Sequence, residues 1–363
     1  MKNTLFLWGF IILCCCKSEK KDNPHVIDGN SVCKIFDLSE CNYIKLSDLN
    51  RNNIIIKGDT IAYFDSRMNE GIIKNLRTKN EQGIQRIKIK DLIPLPSFDF
   101  ENNKIYYPEV TKNAIMSKGK MGEAEEFIQN KDFFYPVRVT IDESLVYIQC
   151  MNGLFLYTKK NKEKVLEFIH KKPLISSSMN FKNDRDTLIV AGLKLSSITE
   201  SFNVLMHDIK NQKQGWETML LGSTYNNLQV CNLFIFIEVT ENANNYLYCL
   251  NKKTGKIVWR TNIDFSLDSS IVSDSNIFCR SEGGLKCIDV STGRVKWQIN
   301  LDNKDFFVFN QTLYLLDAKI LSKHDISNGK TLQTEFTGID YMFIVHDNKG
   351  KEFLVYDNKL FWN

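Results

Sequence analysis

Tyr246-Leu247-Tyr248-Cys249-Leu250-Asn251-Lys252-Lys253-Thr254-Gly255-Lys256-Ile257-Val258-Trp259 is followed, 38 residues on, by a second version of itself, Leu285-Lys286-Cys287-Ile288-Asp289-Val290-Ser291-Thr292-Gly293-Arg294-Val295-Lys296-Trp297. Each copy is a strand, a Gly-containing turn and a second strand that carries a Trp. Self-similarity at this period marks a repeat architecture, and strands on both sides of the turn make it an all-β one.

Further copies align through the turn without gaps. Asp208, Asn251, Asp289 and Asp325 occupy one slot, and Asn211, Thr254, Thr292 and Asn328 the slot three residues later. Gln212, Gly255, Gly293 and Gly329 come next, and Trp216, Trp259, Trp297 and Gln333 four residues after them. A fainter copy places Thr158, Asn161, Lys162 and Leu166 in the same slots. An Asp or Asn oxygen at the first slot can accept hydrogen bonds from turn N–H groups ahead of it. Gly permits a positive φ in the turn. Trp is large and amphipathic, suited to packing between sheets while its N–H finds an acceptor. Gln212 and Gln333 depart from the pattern, so looser turns or packing are expected there.

The motif resembles the quinoprotein-type β-propeller repeat, Leu-Tyr-Ala-Leu-Asp-x-x-Thr-Gly-x-x-x-Trp, over residues from about 205 to 335. The resemblance implies a β-propeller of four-stranded blades. Strand signals then recur along the chain, with first apolar residues Ile61, Ile105, Leu145, Leu188, Leu233, Ile277, Leu313 and Phe353, spaced 36 to 45 residues apart. A four-stranded blade needs about 40 residues. Eight blades are expected, or seven if the region around 105–128 is an insertion. Met116–Asn130 is rich in helix formers and reads as a loop or short helix, and residues 192–203 read as a second long polar connection. The last signal is followed only by Lys359-Leu360-Phe361-Trp362-Asn363, and residues 32–49 read as two strands joined by a turn. The N- and C-terminal strands are therefore expected to share one blade and close the ring, which protects sheet edges.

With 43% apolar residues and 24 Phe, the chain can fill a large core. Its 47 basic and 43 acidic residues leave a net charge of only +4, which argues against nucleic acid as the partner. Residues 1–16 read as a targeting segment: Lys2 leads a nine-residue apolar run, Leu5–Leu13, too short to span a bilayer. Leu13-Cys14-Cys15-Cys16 resembles a bacterial lipobox, which implies lipidation of Cys16, with Cys15 as the alternative. Residues 17–30 follow as a charged tether and 31–363 as one propeller domain. Multiple acyl chains would anchor the protein stably, at roughly 0.8 kcal/mol per buried CH₂.

No catalytic constellation and no metal site emerge. Of Cys33, Cys41, Cys150, Cys231, Cys249, Cys279 and Cys287, Cys249 and Cys287 share one repeat slot and read as small core residues, with Cys33–Cys41 and Cys279–Cys287 the disulfide candidates. His207 and His324 occupy one repeat slot in different blades, too far apart to share an ion. Quinoproteins of this repeat hold a quinone beneath a ring of adjacent disulfide-bonded cysteines; adjacent cysteines occur here only in the targeting segment, so no cofactor is expected. Repeat, length and lipobox together resemble the propeller lipoproteins of outer-membrane assembly machinery. That resemblance implies a non-enzymatic, membrane-anchored scaffold, acting as a monomer, for an envelope or secreted protein. A ligand- or sugar-binding propeller and a degenerate quinoprotein dehydrogenase are the alternatives.

Overall fold

The computed structural model describes residues 42–45, 54–65, 70–76, 84–88, 97–120, 122–169, 179–184, 186–193, 201–224, 228–267, 270–273, 275–281, 284–300, 305–309, 311–317, 319–337, 342–346, 351–356 and 359–362. The targeting segment, the tether and the Cys33–Cys41 pair lie outside them. Eight antiparallel four-stranded sheets follow one another around a ring. Seven are contiguous in sequence: blade 1 at 54–88, blade 2 at 97–129, blade 3 at 136–169, blade 4 at 180–221, blade 5 at 228–262, blade 6 at 271–299 and blade 7 at 305–336. Blade 8 takes three strands from 342–362, and its fourth, Asn42–Lys45, pairs with Lys359–Trp362 so that Ile44 lies opposite Leu360.

Why these segments are strands follows from what their two faces meet. In the second strand of blade 5, Ile235 and Ile237 belong to the apolar cluster shared with blade 4, while Phe236 belongs to the cluster shared with blade 6. A period-2 strand sandwiched between two neighbours is buried on both sides and so reads as an unbroken apolar run. One such cluster lies between every neighbouring pair of blades, including blades 8 and 1, where Val355 and Leu360 pack with Ile61 and Ile72. Each fully buried aliphatic or Phe side chain contributes about 1.5–3 kcal/mol.

Position within a blade sets polarity. First strands of neighbouring blades touch, as Ser97–Asp99 does Pro136–Ile141 and Met342–His346 does Ile54–Lys57, so first strands surround the axis. Fourth strands lie outermost and mix exposed with half-buried residues, as in Lys164–Ile169 and Ile257–Asn262. Two expectations are corrected. The region 105–128 is no insertion but part of blade 2, and Met116–Asn130 is not helical: it contributes to strands Ala114–Lys118 and Glu125–Gln129. Pairing and the burial of Phe127 and Ile128 override the helix preference of the surrounding glutamates. Of the connection expected at 192–203, residues 201–203 belong to strand Ser201–Asp208, and 194–200 lie outside the described residues.

Candidate functional site

Both faces of the ring present candidate features. On one face lie the turns between first and second strands and those between third and fourth strands. In the latter, Asn251 Oδ1 accepts from the backbone N–H of Lys253 at 3.0 Å and of Thr254 at 3.0 Å. Asp289 Oδ1 accepts from Ser291 and Thr292 through both backbone and hydroxyl. Asp325 receives Ser327 and Asn328, and Asp208 receives Asn211. These hydrogen bonds hold the carboxyls of Asp208, Asp289 and Asp325 below the usual carboxylate range.

The Trp side chains connect these turns from blade to blade. Trp216 Nε1 donates to the Lys252 carbonyl at 2.9 Å, Trp259 Nε1 to Val290 at 2.8 Å and Trp297 Nε1 to Ile326 at 3.1 Å. Each acceptor directly follows the Asn or Asp of the next blade's turn. Each ring also lies against that turn's glycine: a Cβ on Gly255, Gly293 or Gly329 would sit 2.4, 2.7 or 2.9 Å from Trp216, Trp259 or Trp297. A bulge beside each Trp, as between Cys249 and Leu250, turns it toward its neighbour. Gln212 follows a blade whose slot holds Leu166 rather than Trp, and it takes a φ of 49° as a non-glycine. Gln333 belongs to blade 7, and blade 8 has no turn between its third and fourth strands, because these are Lys359–Trp362 and Asn42–Lys45. The departures at Gln212 and Gln333 therefore reflect what each side chain faces.

Near the axis on the same face, blades 1 to 4 enclose a cleft of about 530 Å³ lined by Phe98, Phe100 and several charged groups. Lys159 Nζ lies 3.4 Å from Asp99 and 2.8 Å from Glu101, and Lys57 lies 3.4 Å from Glu143. The Lys159 hydrogen bond and charge hold the Glu101 carboxyl down. Asp142 accepts from the backbone of Ser144 and Leu145, from Tyr147 Oη at 2.8 Å and from Asn183 Nδ2 at 3.0 Å. Burial, with Asp142 beside it, pushes the Tyr147 phenol up. Ion-paired carboxylates and turn caps suit binding better than proton transfer.

The opposite face carries a feature that the sequence reading missed. Phe134 and Tyr135, each 51% exposed, project from the link between blades 2 and 3. Phe133 beside them is buried, edge-on to Phe155 with centroids 5.0 Å apart. Phe134 N–H donates to Asn152 Oδ1 at 3.2 Å, and the Met151 N–H is shared between the Phe134 and Tyr135 carbonyls at 3.0 and 3.3 Å. Tyr135 precedes Pro136 and holds a φ of 52°, a conformation uncommon outside glycine. The available signal was the run Phe133-Phe134-Tyr135-Pro136: three consecutive aromatics cannot all be buried in one short link.

The described thiols Cys150, Cys231, Cys249, Cys279 and Cys287 form no disulfide with one another. The Cys279–Cys287 pairing is corrected: Cys287 lies opposite Phe278 and Cys279 opposite Lys286, so the two point to opposite sides of blade 6. Burial pushes Cys150, Cys249 and Cys279 up to about 12, which makes them poor nucleophiles. His207 and His324 are buried in separate blades; His324 Nδ1–H donates to the Gly329 carbonyl at 3.0 Å and its Nε2 accepts from Ser322 Oγ at 2.9 Å. Among the described residues, no group of three His, Cys, Asp or Glu side chains is placed to hold a metal ion.

Eight four-stranded blades among the described residues define a β-propeller, and its turn-and-Trp repeat is similar to that of PQQ-like propellers. The chain is similar to BamB: a family model described as outer membrane protein assembly factor BamB matches residues 235–331. The crystal structure of BamB from Moraxella catarrhalis is 12% identical, with a TM-score of 0.56, and the match covers 88% of this chain and 95% of that one. The Dos1 propeller is 11% identical with a TM-score of 0.57, covering 89% and 94%. The computationally designed Ika8 protein is 8% identical with a TM-score of 0.55, covering 88% and 98%. At these identities the structural likeness concerns the fold. No curated protein matches the chain by sequence.

Proposed function

We propose that this protein is a non-enzymatic propeller lipoprotein of the cell envelope, anchored through Cys16, which holds a partner protein at its Phe134–Tyr135 face. The observation that carries the reading is the exposed aromatic pair fixed by hydrogen bonds to Asn152 and Met151. Aromatics are the usual anchors of protein interfaces, and a loop already held in place loses little entropy on binding. The family description, outer membrane protein assembly factor, supports an envelope setting and an assembly role. The lipobox-like Leu13-Cys14-Cys15-Cys16 supports the anchor, and the near-neutral charge supports a protein rather than a nucleic acid as partner.

The test is affinity capture of the native protein from detergent-solubilised membranes, read by mass spectrometry. A stoichiometric envelope partner is expected, lost in a Phe134→Ser/Tyr135→Ser variant that unfolds at the wild-type temperature. Retention of the partner by that variant, or its absence from the wild type, would refute the reading. Cys16→Ala should move the protein from the membrane to the soluble fraction. A second reading, a binder of small cationic or sugar ligands, is favoured by the cleft, where Phe98 and Phe100 stand beside carboxylates. Saturable binding of polyamines or oligosaccharides, lost in Glu101→Gln, would support it.

A further inference from the structure

We propose that the cleft at the mouth of the axis takes a linear aliphatic polyamine, and that Lys57 is the built-in cation which this ligand displaces. The inference rests on the ligand-binding reading of the cleft and commits it to one chemical class. The first strand of blade 1, Ile54–Lys57, supplies Ile55 and Lys57. Phe100 and Glu101 come from the turn that follows Ser97–Asp99 of blade 2, and Glu143 from the turn that follows Pro136–Ile141 of blade 3.

The wall and the rim of this cavity together choose the ligand. Ile55 is 40% exposed, although Ile54 and Ile56 on either side of it are buried in the cluster shared by blades 8 and 1. Phe100 and Ile141, half-buried, line the same space. Water-exposed hydrocarbon inside a concave site favours a ligand that carries hydrocarbon of its own. Among the described residues, the carboxylates Asp99, Glu101, Asp142, Glu143 and Asp186 outnumber the lysines Lys57 and Lys159 along the lining. A methylene chain with ammonium groups along it matches both features. A sugar matches neither so well, because Ser97 Oγ already accepts from the Ile141 N–H at 3.1 Å and Asn183 Nδ2 donates to Asp142 at 3.0 Å.

The two lysines differ in how they are held. Lys159 Nζ lies 2.8 Å from Glu101 and 3.4 Å from Asp99, whose side chain is only 2% exposed. Removing Lys159 would leave a buried carboxylate without its cation, so this pair belongs to the fold. Lys57 Nζ lies 3.8 Å from Glu101 and 3.4 Å from Glu143. Both distances exceed the roughly 2.7–3.2 Å usual for an N–H···O hydrogen bond. The Glu143 side chain is 75% exposed, and ion pairs this open contribute little. An incoming ammonium can therefore take Glu101 and Glu143 while Lys57 turns out to water.

Calorimetric titration of the full chain with spermidine and, separately, with maltotetraose at constant ionic strength tests the proposal. Spermidine should bind saturably with a dissociation constant below about 1 mM. Glu143→Gln should weaken that binding by about threefold or more, and Lys57→Met should tighten it by about two- to fivefold, because the competitor is gone. Lys253→Met, which removes a cation from an exposed turn of blade 5, should leave it unchanged and so separates displacement from a general change of charge. Binding of maltotetraose without spermidine would overturn the proposal and leave a ligand-binding cleft; binding of neither would overturn both. Spermidine binding that is unchanged or weaker in Lys57→Met overturns the displacement. Should that variant fail to fold, Lys57→Gln and the wild-type titrations decide.

Discussion

The glycine of each repeat turn answers to two demands at once. Gly293 holds a φ of 71°, and the Trp259 ring leaves its Cβ position 2.7 Å of room. Gly293→Ala should therefore cost more than about 1 kcal/mol in urea unfolding, through backbone and packing together. Gln212 meets only the first demand, at a φ of 49° with Leu166 in the facing slot. Gln212→Gly should be stabilising by about 1 kcal/mol, and a loss would show that the Gln side chain makes a needed contact. The titrating groups give two separate pH windows. Burial holds His207 below the ordinary histidine value, so its neutral form is the folded one. Its contribution is fully present above the unfolded value of about 6.5 and is lost as pH falls through the lower folded value. Thermal melts in His207→Phe should lack that decline. The turn carboxyls Asp208, Asp289 and Asp325 are also held low, so their contribution persists to lower pH and disappears only below about 3.9, as pH falls through their folded values.

At the scale of the element, the Trp is where a blade meets its neighbour. Trp259 is half-buried, lies against Gly293 and donates to Val290. Trp259→Ala should cost about 2–4 kcal/mol, whereas Trp259→Phe keeps much of the packing and loses chiefly one hydrogen bond, about 1 kcal/mol. Gln333→Trp should bring no gain, because blade 8 presents no turn for it to meet; a gain comparable to the Trp259→Ala loss would contradict that account. This pairing is also why the middle of the chain was legible: Trp216, Trp259 and Trp297 recur with Gly255, Gly293 and Gly329 since each copy records a contact with the next. The outer half of blade 2 was not legible, because Glu125 and Glu126 face solvent on an outer strand whose form is set by pairing with Ala114–Lys118. Phe134 and Tyr135 escaped notice for a related reason: Asn152 and Met151, which fix them, come from a turn in the following blade.

At the scale of the whole molecule, the strand Lys359–Trp362 holds the first and last parts of the described chain together. It pairs with Asn42–Lys45 on one side and with Glu352–Tyr356 on the other. Leu360 is fully buried in the cluster shared with blade 1, and Phe361 is buried in the cluster shared with blade 7. Ring closure thus makes a strand at the far end of the chain as deeply packed as an internal one. Leu360→Ala should then destabilise by about 2–5 kcal/mol, like a core leucine elsewhere in the ring, rather than by the few tenths expected of a fraying strand. Leu313→Ala, between blades 6 and 7, is the internal standard, since Leu313 is also fully buried. Amide exchange separates the alternatives further. If blade 8 closes the ring, the amides of Asn42–Lys45 and Ile54–Lys57 should exchange faster together in Leu360→Ala, because the first strand pairs with the strand carrying Leu360 and the second packs in its cluster. Fast exchange at Asn42–Lys45 in the wild type, with a Leu360→Ala cost far below that of Leu313→Ala, would mean that blades 1 and 8 separate readily and that the ring is held by its other seven interfaces.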